Sequence, residues 1–353
     1  MATSPSQYEL QQAITDLPKV DLHRHLEGSL RIRTLMEIAR QEGLDLPQEE
    51  SRLREQVQIG SAEPKTLPNF LSKFRVLRPI YRSPEIIQRV TYEAIEDAAI
   101  DNIVYLELRF TPAALSQARG FPLHEIVAWV IEFAREAASQ FDIRVGLIAS
   151  VNRHESVELA EAVAQIASDH TGDGILGLDL AGNEFDFPAD PFTSILKSAE
   201  EAGLETTVHA GEWTGADSVS QALNSMGASR IGHGVRVMED AEVVAIARDR
   251  RAAFEVCLTS NLHSGVIGGM DEHPLPEMIN AGLVVTLNTD DPGISNIRLS
   301  DEYFTAVSEL GLSEETLKGL ILSGAQYSFL PEPEKKELEG RLQQSLGLGM
   351  KGI

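Results

Sequence analysis

Short apolar runs alternate along the chain with longer segments in which apolar residues recur every three or four positions. The short runs are typical of strands buried on both faces, and the longer segments are typical of helices with one apolar side. Strands are predicted at residues 19–26, 103–110, 143–150, 176–181, 206–210, 230–235, 253–258 and 283–289. The helices predicted between them include residues 123–140, 156–169, 191–202, 218–226 and 240–249. Eight strands that alternate with helices predict one (β/α)8 barrel, the TIM barrel of the α/β class.

Two stretches lie outside this alternation. About residues 30–101 separate the first two strands, which is too long for one crossover, and several prolines divide them into short predicted helices. We expect this helical insertion to shape a lid. About residues 299–346 follow the last strand and predict C-terminal helices. Residues 1–353 are expected to form a single domain, because a barrel with such additions reaches this length.

The composition excludes several classes of protein. Hydrophobic residues make up 42% of the chain and charged residues 24%, as in ordinary globular proteins. No apolar stretch approaches the roughly 18 residues of a membrane span, and the first residues lack the features of a secretion signal. Cys257 is the only cysteine, so neither an internal disulfide nor a cysteine-rich zinc site is possible. We therefore expect a cytoplasmic protein that does not bind membranes.

The net charge of −24 also bears on the partners of the protein. A field of this sign repels the phosphate backbone of nucleic acids, so nucleic acid is not an expected partner. Neither the charge nor the length predicts whether the chain forms a homo-oligomer.

Polar residues gather where four of the predicted strands end. His23 and His25 lie two positions apart on the first strand, so their side chains face the same way. His209 lies near the end of the fifth strand, His233 lies in the sixth, and Asp290 directly follows the eighth. Since the carboxyl ends of barrel strands meet at one mouth, we expect these side chains to converge.

Each of these residues also has a purely structural interpretation. His209 could be a satisfied core histidine, and Asp290 with Asp291 could form a turn or a helix cap before Pro292. Taken together, four polar strand ends inside apolar segments are better explained by a metal site, because unpaired burial would cost several kcal/mol per charged group.

The residue types favour zinc. Three imidazoles and one carboxylate are suitable ligands for one Zn²⁺ ion per chain and leave room for a water molecule. They come from His23, His25, His209 and Asp290. Zinc would lower the pKa of that water from 15.7 to about 7 and so make hydroxide available. Glu212, three residues beyond His209, is the candidate general acid.

Two further residues are candidates for direct roles in a reaction. His233, between two glycines, could orient the water or accept its proton, and a supporting structural histidine is the alternative. Asp291 is expected to stay ionised beside the cation and to accept a hydrogen bond from a substrate N–H.

Seven segments together resemble the adenosine deaminase family, most closely its bacterial enzymes. They are LPKVDLHRHLEGSL at 17–30, YLELRFTP at 105–112, GLDLAGNE at 177–184, TVHAGE at 207–212, RIGHGV at 230–235, CLTSNLHSGV at 257–266 and LNTDDPG at 287–293. The resemblance implies the same four zinc ligands and a small-molecule purine as the partner. The implied reaction is deamination of adenosine and 2′-deoxyadenosine to inosine or its deoxy form and ammonia, by zinc-bound hydroxide that attacks C6.

The resemblance also implies roles around the purine ring. Glu212 is expected to protonate N1, and His233 to position the hydroxide. Asp291 is expected to meet N7, and the backbone N–H of Gly182 to approach N3. His25 is expected to border the substrate as well as the zinc.

One position departs from the family pattern. Glu27 stands where adenosine deaminases usually have Asp, near the ribose 5′-hydroxyl, and adenine deaminases commonly carry Glu there. The extra methylene moves the carboxylate by roughly one bond length, which matters for a hydrogen bond. Adenine and a modified nucleoside such as aminodeoxyfutalosine therefore stay open as substrates. We expect adenosine, because DLHRHL and EVCLTSN resemble the bacterial adenosine enzymes.

Other classes of protein are less consistent with the sequence. A catalytically silent binding protein could share the fold, but its sequence would normally have lost a metal ligand or Glu212. The cytidine deaminase signature needs a P-C-x-x-C segment, which one cysteine cannot supply. Among the other histidines, His263 is predicted near the mouth of the barrel, without an assigned role.

Overall fold

The computed structural model describes residues 7–348 and contains eight parallel strands. Each strand pairs with the next one along the chain. The strands are β1 (Lys19–His25), β2 (Ile103–Phe110), β3 (Arg144–Asn152), β4 (Ile175–Ala181), β5 (Glu205–His209), β6 (Arg230–Gly232), β7 (Ala253–Val256) and β8 (Val284–Leu287). The predicted (β/α)8 barrel is confirmed.

The two edges of the sheet meet between β1 and the residues that follow β8. The backbone N–H of Asp290 donates to the carbonyl of His23 at 2.7 Å, and the N–H of His25 donates to the carbonyl of Asp290 at 2.8 Å. Nearby, the side-chain oxygen of Asn288 accepts the N–H of Leu22 at 2.9 Å. The seam of the barrel is therefore closed by the backbone of residues that the sequence predicts as metal ligands.

Some strands end earlier than the apolar pattern predicts. β6 ends at Gly232, and β8 ends at Leu287. The residues beyond these ends carry polar side chains on left-handed backbone, with φ of 57° at His233 and 61° at Asp290. Such backbone costs about 1–3 kcal/mol in a residue other than glycine and is concentrated at functional sites.

Helices surround the barrel and form both of its additions. They are α1 (Gln7–Asp16), α2 (Ile32–Glu42), α3 (Glu50–Val57), α4 (Leu67–Leu77), α5 (Pro84–Ile100), α6 (Pro112–Ser116), α7 (Leu123–Ala138), α8 (Val157–Asp169), α9 (Thr193–Glu201), α10 (Ala216–Ser225), α11 (Ala241–Arg250), α12 (Leu258–His263), α13 (Leu275–Asn280), α14 (Pro292–Ser295), α15 (Leu299–Ser308), α16 (Glu314–Gln326) and α17 (Glu332–Ser345). Short 3₁₀ turns lie at Arg78–Ile80, Asp190–Phe192, Val235–Glu239 and Met270–Glu272. Within residues 7–348, every helix is too short or too polar to cross a lipid bilayer.

The insertion between β1 and β2 contains α2 to α5, and α4 faces the mouth of the barrel. Lys73 on α4 is buried, and its ammonium donates to Glu63 at 2.7 Å and to the carbonyl of Glu55 at 3.0 Å. These bonds tie α4 to the preceding part of the insertion. Phe70 and Phe74, on the same helix, line a cavity above the strand ends.

Charged groups fill part of the barrel interior. Arg230 on β6 donates through Nε to Glu255 on β7 at 2.6 Å and through a terminal nitrogen to Glu107 on β2. Arg109 on β2 donates to the other oxygen of Glu255 at 2.9 Å. These side chains are at most 1% exposed. We call Glu107, Arg109, Arg230 and Glu255 the interior ion network; the apolar pattern predicts none of its members.

The interior ion network gives a prediction for stability. Arg230→Met should lower the free energy of unfolding by about 3–5 kcal/mol, because it leaves the buried carboxylate of Glu107 without a cation, while Glu255 keeps only Arg109. Urea unfolding measures this difference. The matched control is Arg144→Met at the start of β3, where the guanidinium is 40% exposed and pairs with Glu334 and Glu337. The control should cost less than about 1 kcal/mol; equal stability of the two variants would contradict the prediction.

Candidate metal centre

Five polar side chains from distant parts of the chain converge at the carboxyl end of the barrel. The ring of His23 lies 4.6 Å from that of His209 and 4.8 Å from that of His233, measured between centroids. Asp290 Oδ1 lies 3.4 Å from His23 Nε2 and 3.3 Å from His25 Nε2. The structure thus brings together the residues that the sequence predicts at the ends of four strands.

Buried carboxylates orient two of the imidazoles. His23 Nδ1 lies 2.8 Å from Glu255 Oε2, and His209 Nδ1 lies 2.9 Å from Asp179 Oδ1. With Nδ1 engaged, Nε2 of each ring is left for another partner, and His23 Nε2 is buried with no hydrogen-bond partner among the described residues. A carboxylate behind an imidazole is the usual support for a metal-binding histidine.

The donor atoms fit a metal ion. Ligand atoms of His23, His209, His233 and Asp290 all lie within 4.8 Å of one another. A second, overlapping group consists of His25, Asp179 and His209. The first group includes His233, whereas the set of ligands predicted from the sequence includes His25 in its place. Both residues line the same cavity at the mouth of the barrel. Imidazole and carboxylate donors at this spacing are compatible with a divalent transition metal.

Asp290 is held as an anion at the centre of the cluster. Burial raises its pKa, but the adjacent imidazoles of His23, His233 and His25 outweigh burial and hold the pKa well below its usual value. The hydroxyl of Ser260 donates to Asp290 Oδ2 at 2.5 Å. The carboxylate is therefore both ionised and fixed in position.

Glu212 lies beside the cluster, in the loop after β5. Its carboxyl group is buried, and Oε2 has no hydrogen-bond partner among the described residues. Burial, followed by the nearby carboxylate of Asp290, raises the pKa of Glu212 well above its usual value. His233 Nε2 lies 3.7 Å from Glu212 Oε2.

A second glutamate fixes the loop that carries Glu212. Glu184 follows β4 and accepts the backbone N–H groups of residues 211 to 214 at 2.8 to 3.2 Å. The hydroxyl of Ser218 also donates to it. These bonds hold the pKa of Glu184 below its usual value although burial raises it. Sequence reasoning missed Glu184 in the segment GLDLAGNE, where it was one polar residue among several.

A cavity of about 410 Å³ opens onto the cluster, a volume within the range of small-molecule sites. It is lined by most of the sequence-predicted site residues, namely His25, Glu27, Gly182, His209, Glu212, His233, Asp290 and Asp291. Sequence reasoning did not assign several other lining side chains, including Phe70, Phe74, Arg75, Arg78, His154 and Trp213. His263 is not part of this lining; its Nδ1 lies 3.3 Å from the hydroxyl of Ser295.

Besides Glu212, two more carboxyl groups border the cavity with an oxygen that has no hydrogen-bond partner among residues 7–348: Glu27 Oε2 and Asp291 Oδ1. The other oxygen of Glu27 accepts the N–H of Thr111 at 2.6 Å, and burial raises the pKa of Glu27 to about 7. Burial and the charge of Asp290 raise the pKa of Asp291 well above its usual value, whereas a cation at the cluster would lower it. A Cβ on Gly28 would lie 1.7 Å from Asp291 Oδ1, so this close approach requires glycine.

Comparison with known proteins identifies relatives over nearly the whole chain. A model of the adenosine deaminase family matches residues 18–345. The adenosine deaminase of Erwinia tasmaniensis is 38% identical over 331 residues, which are 93% of this chain and 98% of that protein. The adenine deaminase of Arthrobacter aurescens has a TM-score of 0.86 at 28% identity, with 94% of this chain and 99% of that one covered. An Arabidopsis protein, ADAL, complexed with IMP has a TM-score of 0.85 at 29% identity, with 95% and 99% covered.

The cluster gives a prediction for metal content. His209→Ala should reduce the bound metal, measured by elemental mass spectrometry after dialysis, from about one ion per chain to below about one tenth. Loss of a ligand should weaken binding at least as much as the 10–100-fold that follows loss of a supporting residue. Glu212→Gln is the control and should keep its metal. Full metal content in His209→Ala would show that the ion binds elsewhere.

Proposed function

The chain belongs to the adenosine deaminase family, a family of hydrolases, and from that premise we propose that it deaminates adenosine and 2′-deoxyadenosine hydrolytically, with release of ammonia. The observation that carries the proposal is Glu212, a buried carboxyl group with a free oxygen that faces the same cavity as the metal-binding cluster. An amino group on an aromatic ring leaves slowly unless the ring is protonated and attacked, and these two elements serve those two needs.

We assign zinc to the cluster, with the ligands His23, His25, His209 and Asp290 and one ion per chain. Three imidazoles and one carboxylate suit zinc and leave a position open. A zinc ion held there would supply hydroxide near neutral pH, because zinc lowers the pKa of bound water to about 7. Glu255 and Asp179 hold two of the ligand rings in place before any substrate arrives.

Glu212 acts as the acid in this proposal. Burial raises the pKa of Glu212 and so favours the protonated form of the carboxyl group. The O–H donates to N1 of the purine, which draws electron density from C6 and prepares that carbon for addition of hydroxide. When C6 has become tetrahedral, the amino group takes the proton that left the water, the C6–N bond breaks and ammonia leaves. The C6 hydroxyl then gives its proton to Glu212, which restores the acid and yields the 6-oxopurine.

His233 acts on the attacking water in this proposal. Burial lowers the pKa of its ring well below the usual value, so the neutral ring can accept a proton. The side-chain amide of Asn261 lies 3.2 Å from His233 Nδ1, which leaves Nε2 facing Asp290 and Glu212. We therefore assign His233 to orienting the water and taking up its proton.

Asp291 and Gly182 border the purine in this arrangement. Purine N7 is an acceptor, so Asp291 can donate to it only in its protonated form, not in the ionised form that the sequence predicts. Burial favours the protonated form, and a cation at the cluster opposes it. Gly182 lines the cavity with φ of 91°, a conformation that favours glycine. We place its backbone N–H near N3.

Glu27 supports a nucleoside rather than a free base. One of its oxygens is satisfied by Thr111, and the other is buried without a partner among the described residues. A sugar hydroxyl would satisfy this oxygen, whereas adenine would leave it unpaired at a cost of about 1–3 kcal/mol. Deamination of adenine is the second candidate, since the similar structure from Arthrobacter aurescens is an adenine deaminase.

The proposal predicts a substrate order and the effect of losing the acid. Metal-replete protein should convert adenosine faster than adenine at matched concentration, as followed by ultraviolet absorbance. Glu212→Gln should lower kcat for adenosine by about 10²–10⁴, the usual contribution of a general acid. Faster turnover of adenine than of adenosine would show that the substrate is the free base and not the nucleoside. Full activity of Glu212→Gln would refute the assignment of Glu212 as the acid.

The loop geometry predicts a role for Glu184. Glu184→Gln places an amide N–H₂ against backbone N–H donors, so the Glu212 loop should shift and kcat for adenosine should fall by about 10–100-fold. Metal content should not change. The control is Glu201→Gln, an exposed position at the end of α9. A lower melting temperature with unchanged kcat would show that Glu184 serves stability alone.

A further inference from the structure

Two arginines stand at the boundary of the catalytic cavity. Arg75 lies near the end of α4, and Arg78 follows that helix directly. Both line the cavity of about 410 Å³, and both also line an adjoining recess of about 390 Å³. The recess is otherwise lined by Pro79, Gln117 and Ala118, and none of the metal-centre residues reaches it. The cavity at the metal centre and the adjoining recess therefore share two lining residues, Arg75 and Arg78.

Neither arginine has an acidic partner. Among residues 7–348, neither makes an ion pair within 4.0 Å, and the buried Nε of Arg78 has no hydrogen-bond partner. This is unusual in a chain with 54 acidic and 30 basic residues. Arg89 on the next helix, for comparison, pairs with Glu37 at 2.7 Å and with Glu93 at 3.0 Å. Unpaired guanidinium groups present forked N–H donors that match phosphate and carboxylate oxygens.

The surroundings of Arg78 keep these donors available. Its guanidinium carbon lies 5.8 Å from the centre of the Phe74 ring, a contact that engages no N–H. Glu27 is the nearby acid whose pKa Arg78 lowers, against the larger effect of burial, yet its carboxylate bonds to Thr111 instead. His154 also lines the cavity and feels the charge of Arg78. Two cations and an imidazole thus share one side of the cavity.

The proposed reaction determines which end of a substrate meets the arginines. C6 of the purine must lie at the cluster of His23, His209 and Asp290. The sugar is attached at the opposite end of the purine, so it points away from the cluster and towards the lid. A group on the far side of the sugar would therefore point to the part of the cavity lined by the insertion, to which Arg75 and Arg78 belong.

We propose that Arg75 and Arg78 form an anion subsite that receives a phosphate or carboxylate on the sugar of an aminopurine nucleoside. This inference rests on the proposed function and extends it: adenosine is accepted, and nucleosides with an anionic group at the 5′ position are the better substrates. The adjoining recess gives room for that group beyond the nucleoside.

Three substrates test the proposal with metal-replete protein at low ionic strength: adenosine, adenosine 5′-monophosphate and adenosine 5′-carboxylic acid. We expect kcat/KM for one or both anionic substrates to exceed that for adenosine by at least about tenfold, the factor that charge-assisted hydrogen bonds supply. Preference for one anion identifies whether phosphate or carboxylate is the ligand. High salt should reduce the preference. Equal or lower kcat/KM for both anions would overturn the subsite.

Variants assign the preference to the two arginines. The double variant Arg75→Met with Arg78→Met should bring the ratio of anionic to neutral kcat/KM close to one. Arg78→Lys keeps the charge and should retain part of the preference. The control is Arg33→Met, an exposed arginine of α2 that does not line the cavity. An unchanged ratio in the double variant, or an equal loss in the control, would refute the assignment.

A binding measurement separates this proposal from the proposed function. Calorimetry should show that inosine 5′-monophosphate binds the metal-replete protein more tightly than inosine, and that the double variant loses the difference. If no substrate is deaminated, the proposed function fails, yet this difference in binding would still support an anion subsite. Equal binding of the two compounds would overturn the subsite even if adenosine is deaminated.

Discussion

The buried carboxylate of Glu255 is the interaction on which the rest of the site depends. Its oxygens accept hydrogen bonds from His23 at 2.8 Å, Arg109 at 2.9 Å and Arg230 at 2.6 Å, and the hydroxyl of Thr207 lies at 3.2 Å. Burial alone would protonate this group, but the two guanidinium groups hold its pKa well below the usual value. The orientation of the His23 ring, a proposed metal ligand, is thus set by charges inside the barrel, and the interior ion network supports the candidate metal centre as well as the fold.

Residues at the seam of the barrel also contribute both to the fold and to the candidate metal centre. Asp290 closes the sheet with its backbone and offers its carboxylate to the imidazoles of β1. Gly28 leaves the space that Asp291 occupies. A substitution at this seam would therefore disturb strand pairing and the geometry of the polar cluster together, which means that the stability of the barrel and the arrangement of the cluster cannot be varied independently there.

The sequence predicted the barrel and the centre of the site for clear physical reasons. Buried parallel strands are nearly continuous apolar runs, so the polar residues that interrupt them at His23, His209 and Asp290 are conspicuous. Asp179 and Glu255 were missed because each partner lies on another strand, and no local spacing relates them to His209 or His23. The signal that could have identified Asp179 and Glu255 is the presence of an acidic residue inside an otherwise apolar strand.

The insertion between β1 and β2 was predicted as helices that shape a lid, but the sequence did not predict which of these helices lines the cavity. Periodicity identifies a helix, but it does not say which side of the helix faces the barrel, and that orientation depends on the bonds of Lys73. Asp291 shows a related limit. Its ionisation depends on burial and on the neighbouring charge of Asp290, both of which arise in the folded protein.

The seam also sets an order of events during biosynthesis. Leu22 and Asn288, which bond across it, are 266 positions apart in the chain. A ribosome delivers His23 and His25 well before Asp290, so until then the nascent chain carries an incomplete set of the proposed ligands. Binding of an ion by the full proposed set is thereby deferred until the last strand docks, and a chain truncated before Asp290 lacks one of the proposed ligands.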